Sequence, residues 1–256
     1  MRSVRAILDE FFSRYLDCDL TKVSPGTVVV APSDRRDQPE INYHNTFALY
    51  LIATGNRCII SVQHKLEIPV RNQTNRMSLG EFHTPQGQQQ LLNVVAHTLG
   101  LKHRLASVSG PILFVTTTCF RLHNLHPCRQ ISIADIPLLS AVGLYGSYLD
   151  HSIKEGTCYA AFGKDQPVSV AGTWQVPHLD KEVAEMCVPG TIPAKRREGY
   201  GKTALSYATQ AVLQQNKIPV YITSERNIAS IATARAVGFQ SYGWQFRVEI
   251  VSEPET

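Results

Sequence analysis

Between Pro193 and Thr203 the chain reads Pro-Ala-Lys-Arg-Arg-Glu-Gly-Tyr-Gly-Lys-Thr. Arg196, Arg197 and Lys202 gather positive charge there, with Lys195 beside them. Gly199 and Gly201 remove side chains where backbone must approach a ligand closely. Leu205, Ala208 and Val212 follow at helical spacing, which predicts a helix from about Tyr200 to Gln215. The first N–H groups of a helix have no acceptor within it and carry partial positive charge, so they favour an anion. Fixed cations, permissive glycines and a helix start together predict a bound phosphate or diphosphate.

Two phosphate loops are set aside. A Walker A loop needs Gly-x-x-x-x-Gly-Lys-Thr; Gly201-Lys202-Thr203 fits its end, but Arg196 holds the first glycine position. A dinucleotide fingerprint needs G-x-G-x-x-G, and Ala204 stands at the last glycine. Position in the chain argues harder: that loop opens a dinucleotide fold, whereas this one follows three strand-like runs late in the sequence.

The surrounding elements are read from periodicity and punctuation. Val4, Ile7, Leu8, Phe11, Phe12 and Tyr15 predict an amphipathic helix, followed by strands near 27–31, 48–52 and 57–62. Arg71 to Gly80 reads as a long polar loop. Thr84-Pro85 starts a helix whose buried stripe is Leu91, Leu92, Val95 and Leu99, with Gly100 as its stop. Ser107 to Pro111 reads as a connector, so the expected division is 1–110 and 111–256. Further strands are expected at 112–120, 130–133, 157–162, 168–175 and 183–192, with a helix after Asp135. Pro219 bars extension of the 200–215 helix, Val220–Thr223 is a strand, and Asn227 caps a helix that Gly238 ends. Trp244, Phe246, Val248 and Ile250 alternate as a half-buried strand. The order predicts an α/β protein with a mixed sheet.

Arg196-x-x-Gly199-x-Gly201 resembles the coenzyme A diphosphate loop of the GNAT superfamily of N-acetyltransferases. The resemblance extends to Pro193 three residues earlier, the long helix, Asn227, the small Ser230 and the Gly238-Phe239 pair, all in order. It covers about Arg129 to Ile250 and is strongest from Glu185 to Phe239. It implies a GNAT-like mixed, largely antiparallel sheet flanked by helices, preceded by a smaller α+β N-terminal region. Residues 1–110 carry no family motif; their strand and helix content permits a degenerate second copy of the same fold. They lack the Arg-x-x-Gly-x-Gly loop, so one cofactor site per chain is expected.

The same resemblance implies acetyl-coenzyme A as co-substrate, no metal, and a primary amine as acceptor in a ternary complex. Backbone of Cys187, Val188 and Pro189 would run beside the pantetheine arm, pairing with its amides as an added strand does. Arg196, Arg197, Glu198, Gly199, Tyr200, Gly201, Lys202 and Thr203 would hold the diphosphate. Asn227 and Ser230 would lie along the cofactor's far side, although both also read as a helix cap and a surface serine. Glu185, eleven residues before Arg196, matches the general base of the histone-acetylating branch.

A base has work to do. A lysine-like amine has a pKa of about 10.4, so freeing its lone pair at pH 7 costs roughly 4–5 kcal/mol. Glu185 would need its own pKa raised, by burial beside Met186 and Trp174. The family's usual acid, a tyrosine four residues before the Gly-Phe pair, is replaced by Ala234. Tyr221 and Tyr242 stand off the family position and read as packing residues. The alternative reading is therefore a non-catalytic acyl-coenzyme A-binding or regulatory module.

The whole chain narrows the field. At 256 residues, with 43% hydrophobic composition, it can bury a full core. A net charge of +4, with no Lys/Arg run interleaved with aromatics, argues against a nucleic-acid binder. No apolar run reaches the ~18–20 residues that span a bilayer, and the charged start lacks a leader's apolar stretch. Six scattered cysteines without a C-x-x-C pair suggest reduced thiols and a cytoplasmic protein. His123-x-x-His126-x-Cys128 lacks a second ligand pair at metal spacing and reads as an ordinary loop. The acceptor and the oligomeric state are left open.

Overall fold

The computed structural model describes residues 2–41, 43, 45–100, 104–174 and 181–251. Along the chain run α1 (Val4–Leu16), β1 (Val28–Pro32), β2 (Thr46–Thr54), β3 (Arg57–Val62), α2 (Glu67–Thr74), α3 (Pro85–Leu99) and β4 (Leu105–Phe114). Then come β5 (Cys128–Gln130), α4 (Ile136–Ala141), α5 (Asp150–Lys154), β6 (Tyr159–Gly163), β7 (Gln166–Thr173) and β8 (Val183–Thr191). The chain continues with α6 (Tyr200–Gln214), β9 (Ile218–Ile222), α7 (Ile228–Val237) and β10 (Gln240–Ile250). The architecture is mixed α/β with a largely antiparallel sheet.

Two compact units divide these elements: Met1–Pro111 with Tyr242–Thr256, and Ile112–Ser241. The division differs from the expected 1–110 and 111–256 in its last strand. Trp244, Phe246 and Val248 pack with Leu51, Ile60 and Val95, and β10 runs antiparallel to β2 from Trp244↔Ala53 to Ile250↔Thr46. Long-range strand pairing thus overrides proximity in sequence.

In the first unit the strands lie in the order β1-β3-β2-β10, with β1 parallel to β3. Ser3 caps α1, which buries Leu8, Phe11, Phe12 and Leu16. The loop expected at Arg71–Gly80 is wrong in part, because α2 runs through Thr74. Leu66, Val70 and Thr74, four apart, supply its buried stripe, too sparse among polar neighbours to show as a period. The connector expected at Ser107–Pro111 is instead part of β4, where Ser109 and Gly110 are buried. Ladder pairing outweighs the turn propensity of those residues.

The second unit orders its strands β4-β9-β8-β7-β6-β5, with Ile112–Phe114 of β4 against β9. The strand expected at 112–120 stops at Phe114, where the chain turns and the N–H groups of Cys119 and Phe120 donate back to the Thr116 carbonyl. The strand expected at 130–133 lies at Cys128–Gln130, and α5 was not anticipated. Asp135 does not cap α4 directly; its carboxylate accepts from the backbone N–H and hydroxyl of Ser132. Gln175, the end of an expected strand, lies outside the described residues. The side of this sheet carrying α6 and α7 is cored by Met186, Leu205, Val212, Tyr221 and Phe239; Leu139, Leu149, Ile153 and Cys187 core another cluster with α4 and α5. Among the described residues, no helix is long and apolar enough to cross a membrane.

Candidate active site

Two irregularities in β8 open the sheet. β8 pairs in parallel with β9 from Val183↔Ile218 to Glu185↔Val220, and both strands run on past the last of these described pairs. On its other side, β8 takes three residue steps from Cys187 to Gly190 while β7 takes two from Gly172 to Val170. The extra residue is a bulge at Val188–Pro189, and proline has no N–H to give to a ladder. Met186 and Cys187 keep their partners on β7, so the regular ladder is lost at Val188–Pro189 on that side, while the described pairs with β9 end at Glu185.

The loop from β8 to α6 is shaped by two left-handed residues. Arg197 has φ 68° and Gly199 φ 94°. An arginine in that region is uncommon, the sort of local strain concentrated at binding loops. A Cβ at Gly199 would lie 2.8 Å from Leu125 Cδ1, and one at Gly201 would lie 3.1 Å from Thr191 Oγ1. Gly199 therefore serves the turn, and Gly201 the close seating of α6 on β8. The Thr203 N–H is bonded to the Gly199 carbonyl at 3.0 Å. The N–H groups of Tyr200, Gly201 and Lys202 precede it, in the first turn where a helix has no acceptors of its own.

These residues wall an open cleft of about 860 Å³. Val188, Arg196, Arg197, Glu198, Gly199, Tyr200, Gly201, Lys202, Asn227 and Ser230 all line it. Arg196 and Arg197 are exposed; Arg196 Nε lies 3.4 Å from the Thr191 carbonyl, and Lys195 pairs with Glu198 at 3.3 Å. Cations and helix N–H groups on one side, and strand backbone on the other, suit a long ligand with an anionic middle.

Other expected residues sit elsewhere. Thr203 and Cys187 are buried and do not line the cleft, and Pro189 is placed through its backbone in β8. Burial holds the Cys187 thiol well above the ordinary range, with smaller contributions from Cys158 and Glu185. Glu185 is half-buried and shares by alternation the strand face of Cys187; it is not among the cleft's lining residues. Trp174 meets it through backbone, its N–H donating to the Glu185 carbonyl at 2.8 Å. Asn227 acts as a helix cap, its Oδ1 accepting from the Ser230 N–H at 3.1 Å. Ala234 is wholly buried.

Sequence reasoning missed two contributors. The first is the segment after β4. His126 Nε2 donates to the Glu198 carbonyl at 2.7 Å, its ring stacks on Tyr200, and Leu125 lines the cleft. His123 Nε2 meets the Ala236 carbonyl at 2.9 Å, and its backbone N–H donates to Ser206 Oγ. Both histidines thus tie the loop to α6 and α7, and among the described residues no group of three or more His, Cys, Asp or Glu is placed to hold a metal. The second is Tyr221, whose ring is buried yet lines the cleft. A tyrosine in an otherwise apolar strand was the available signal.

Residues 128–239 match the model of the acetyltransferase (GNAT) family. Among solved structures, a Drosophila protein aligns at a TM-score of 0.49 and 11% identity, over 80% of this chain and 75% of its own. A GCN5-related N-acetyltransferase from Kribbella flavida aligns at 0.46 and 17%, over 62% and 64%. An acetyltransferase from the GNAT family from Colwellia psychrerythraea aligns at 0.46 and 14%, over 61% and 62%. This chain thus spans less than two thirds of the latter two. No curated protein sequence matches it.

Proposed function

We propose, on the premise that the C-terminal half of this chain is a GNAT-family acetyltransferase segment, that the protein transfers an acetyl group from acetyl-coenzyme A to a primary amine. The observation that carries the reading is the cleft between parted parallel strands, with a cationic loop and a free helix start along its wall. Arg196, Arg197 and the N–H groups of Gly199 to Lys202 would hold the diphosphate. Cys187 to Pro189 would offer backbone to the pantetheine amides on the edge toward β9, beyond the last described pair at Glu185. Asn227 and Ser230 would line the far side. The thioester supplies an activated acyl carbon, so the protein's tasks are to orient it and to handle protons.

Attack by the amine forms a C–N bond as the C–S bond breaks, and the nitrogen loses one proton. Glu185, on β8 just before the bulge, is proposed to take that proton directly or through water. One cofactor is expected per chain, because residues 1–110 lack the phosphate loop; their proposed role is a degenerate second copy of the fold. The second reading, a non-catalytic acyl-coenzyme A-binding module, draws support from the buried Ala234 and from the position of Glu185 away from the cleft lining.

Thiol release from acetyl-coenzyme A across a panel of primary amines separates the two. Amine-dependent release is expected. Tight cofactor binding with no release on any amine would leave the binding module.

A further inference from the structure

Ala234, at the position where the resemblance asks for a tyrosine, cannot donate a proton. Ser230 stands four residues earlier on α7, which places it on the same helix face one turn away. The phenol of Tyr221 reaches that turn from β9, with its oxygen 2.7 Å from Ser230 Oγ. Its ring is held edge-on to Phe239, centroids 5.7 Å apart. Tyr221 and Ser230 both line the cleft.

Three hydroxyls meet at Ser230. Thr223 Oγ1 donates to Ser230 Oγ at 3.2 Å. Between the Tyr221 and Ser230 hydroxyls either oxygen can donate; in the arrangement where Ser230 gives its one proton to the Tyr221 oxygen, the phenolic O–H is left for an acceptor in the cleft. The serine is itself fixed by the Asn227 cap on its N–H. Burial raises the Tyr221 phenol above its ordinary range, opposed by the Ser230 hydrogen bond, with a smaller upward push from Cys187. The phenol is therefore protonated throughout the neutral range and available as a donor.

We propose that Tyr221 donates the proton to the departing coenzyme A sulfur, oriented by Thr223 and Ser230, in place of the tyrosine that Ala234 lacks. The inference rests on the acyl-coenzyme A reading above. As the C–S bond of the tetrahedral adduct breaks, its electron pair goes to sulfur and the Tyr221 proton follows, leaving thiol and phenolate. The proton lost by nitrogen passes to Glu185 or water, and the phenolate is reprotonated from solvent. One amide and one thiol are formed, and the protein is restored.

The test does not need turnover. Free coenzyme A is bound to the full chain, and its thiolate absorbance is followed from about pH 6 to 10 in wild type, Tyr221→Phe and Ser230→Ala. A phenol donating to sulfur favours thiolate, so the bound thiol should ionise about one pH unit lower in wild type than in Tyr221→Phe. Ser230→Ala should fall between them, and carries the test if the phenylalanine variant does not fold. Equal ionisation in wild type and the variants overturns the proposal while leaving the acyl-coenzyme A reading in place. Failure of wild type to bind coenzyme A overturns that reading, and this inference with it.

Discussion

The imidazole of His126 lies flat on the ring of Tyr200, with centroids 3.6 Å and planes 13° apart, while its Nε2 donates to the Glu198 carbonyl at 2.7 Å. One side chain therefore steadies both flanks of Gly199. The bonding also assigns the proton to Nε2, since a carbonyl can only accept. His126→Ala should weaken coenzyme A binding about five- to tenfold and cost about 1 kcal/mol of stability, from the lost stack and hydrogen bond. His126→Phe, which keeps the stack, should recover stability more than affinity. Calorimetric titration beside urea unfolding measures both, and unaltered affinity in His126→Ala would refute the positioning role.

Gly199→Ala tests the turn itself. At φ 94° an alanine is strained, which predicts a loss of about 1 kcal/mol. The nearest atom to the added methyl is the flexible tip of Leu125, so Leu125→Ala in the same chain should relieve the contact but little of the strain. Thermal unfolding of the single and double variants decides between them; full recovery in the double variant would mean that crowding, not φ, sets the requirement.

Arg196 and Arg197 are exposed, so their removal should hardly affect unfolding. Each alanine variant is expected to weaken coenzyme A binding about tenfold and to flatten its salt dependence, as loss of a charge-assisted contact does. Arg197→Gly should bind as weakly as Arg197→Ala yet be slightly more stable, because glycine accepts φ 68° without strain. Affinity and its slope against salt, measured for all three, provide the check.

Glu185→Gln should lower the acetylation rate about 100-fold at pH 7 if the carboxylate takes the amine's proton. Toward the amine pKa of about 10 the substrate supplies its own lone pair, and the gap between variant and wild type should close. A defect that stays constant with pH would assign Glu185 a structural role.

Arg129 donates two hydrogen bonds to the Asp135 carboxylate, at 2.7 and 3.0 Å, and Ser132 adds its N–H and hydroxyl. These partners, Arg129 foremost, hold the Asp135 carboxyl well below the usual range. A carboxyl depressed by folding stabilises the protein above its unfolded pKa of about 3.9 and loses that contribution as pH falls below it. Asp135→Asn should therefore lower Tm at pH 7, by a few degrees for roughly 1 kcal/mol of cap and ion pair. The difference should shrink as pH drops through the carboxylate range. A gap independent of pH would locate the effect in packing.

The proposed phosphate loop was legible in the sequence because its physics is local. Cations, glycines and a helix start within eleven residues make an anion site wherever the chain carries them. Asn227, Gly238 and the apolar periods of α1, α3 and α6 were readable for the same reason: caps and stripes act over a few residues. Tertiary structure decided what depends on distant partners. β10 joins the first unit because Trp244, Phe246 and Val248 find Leu51, Ile60 and Val95 there, residues that lie far earlier in the chain. The bulge at Val188–Pro189 exists only as a mismatch between β8 and β7, and the seat of His126 on Tyr200 joins residues that no spacing rule connects. Tyr221 was one apolar-strand aromatic among several until β9 and α7 set its hydroxyl against Ser230 at the cleft. Short-range propensity is enough to point to an anion; only long-range packing sets Tyr221 and Ser230 together at the cleft.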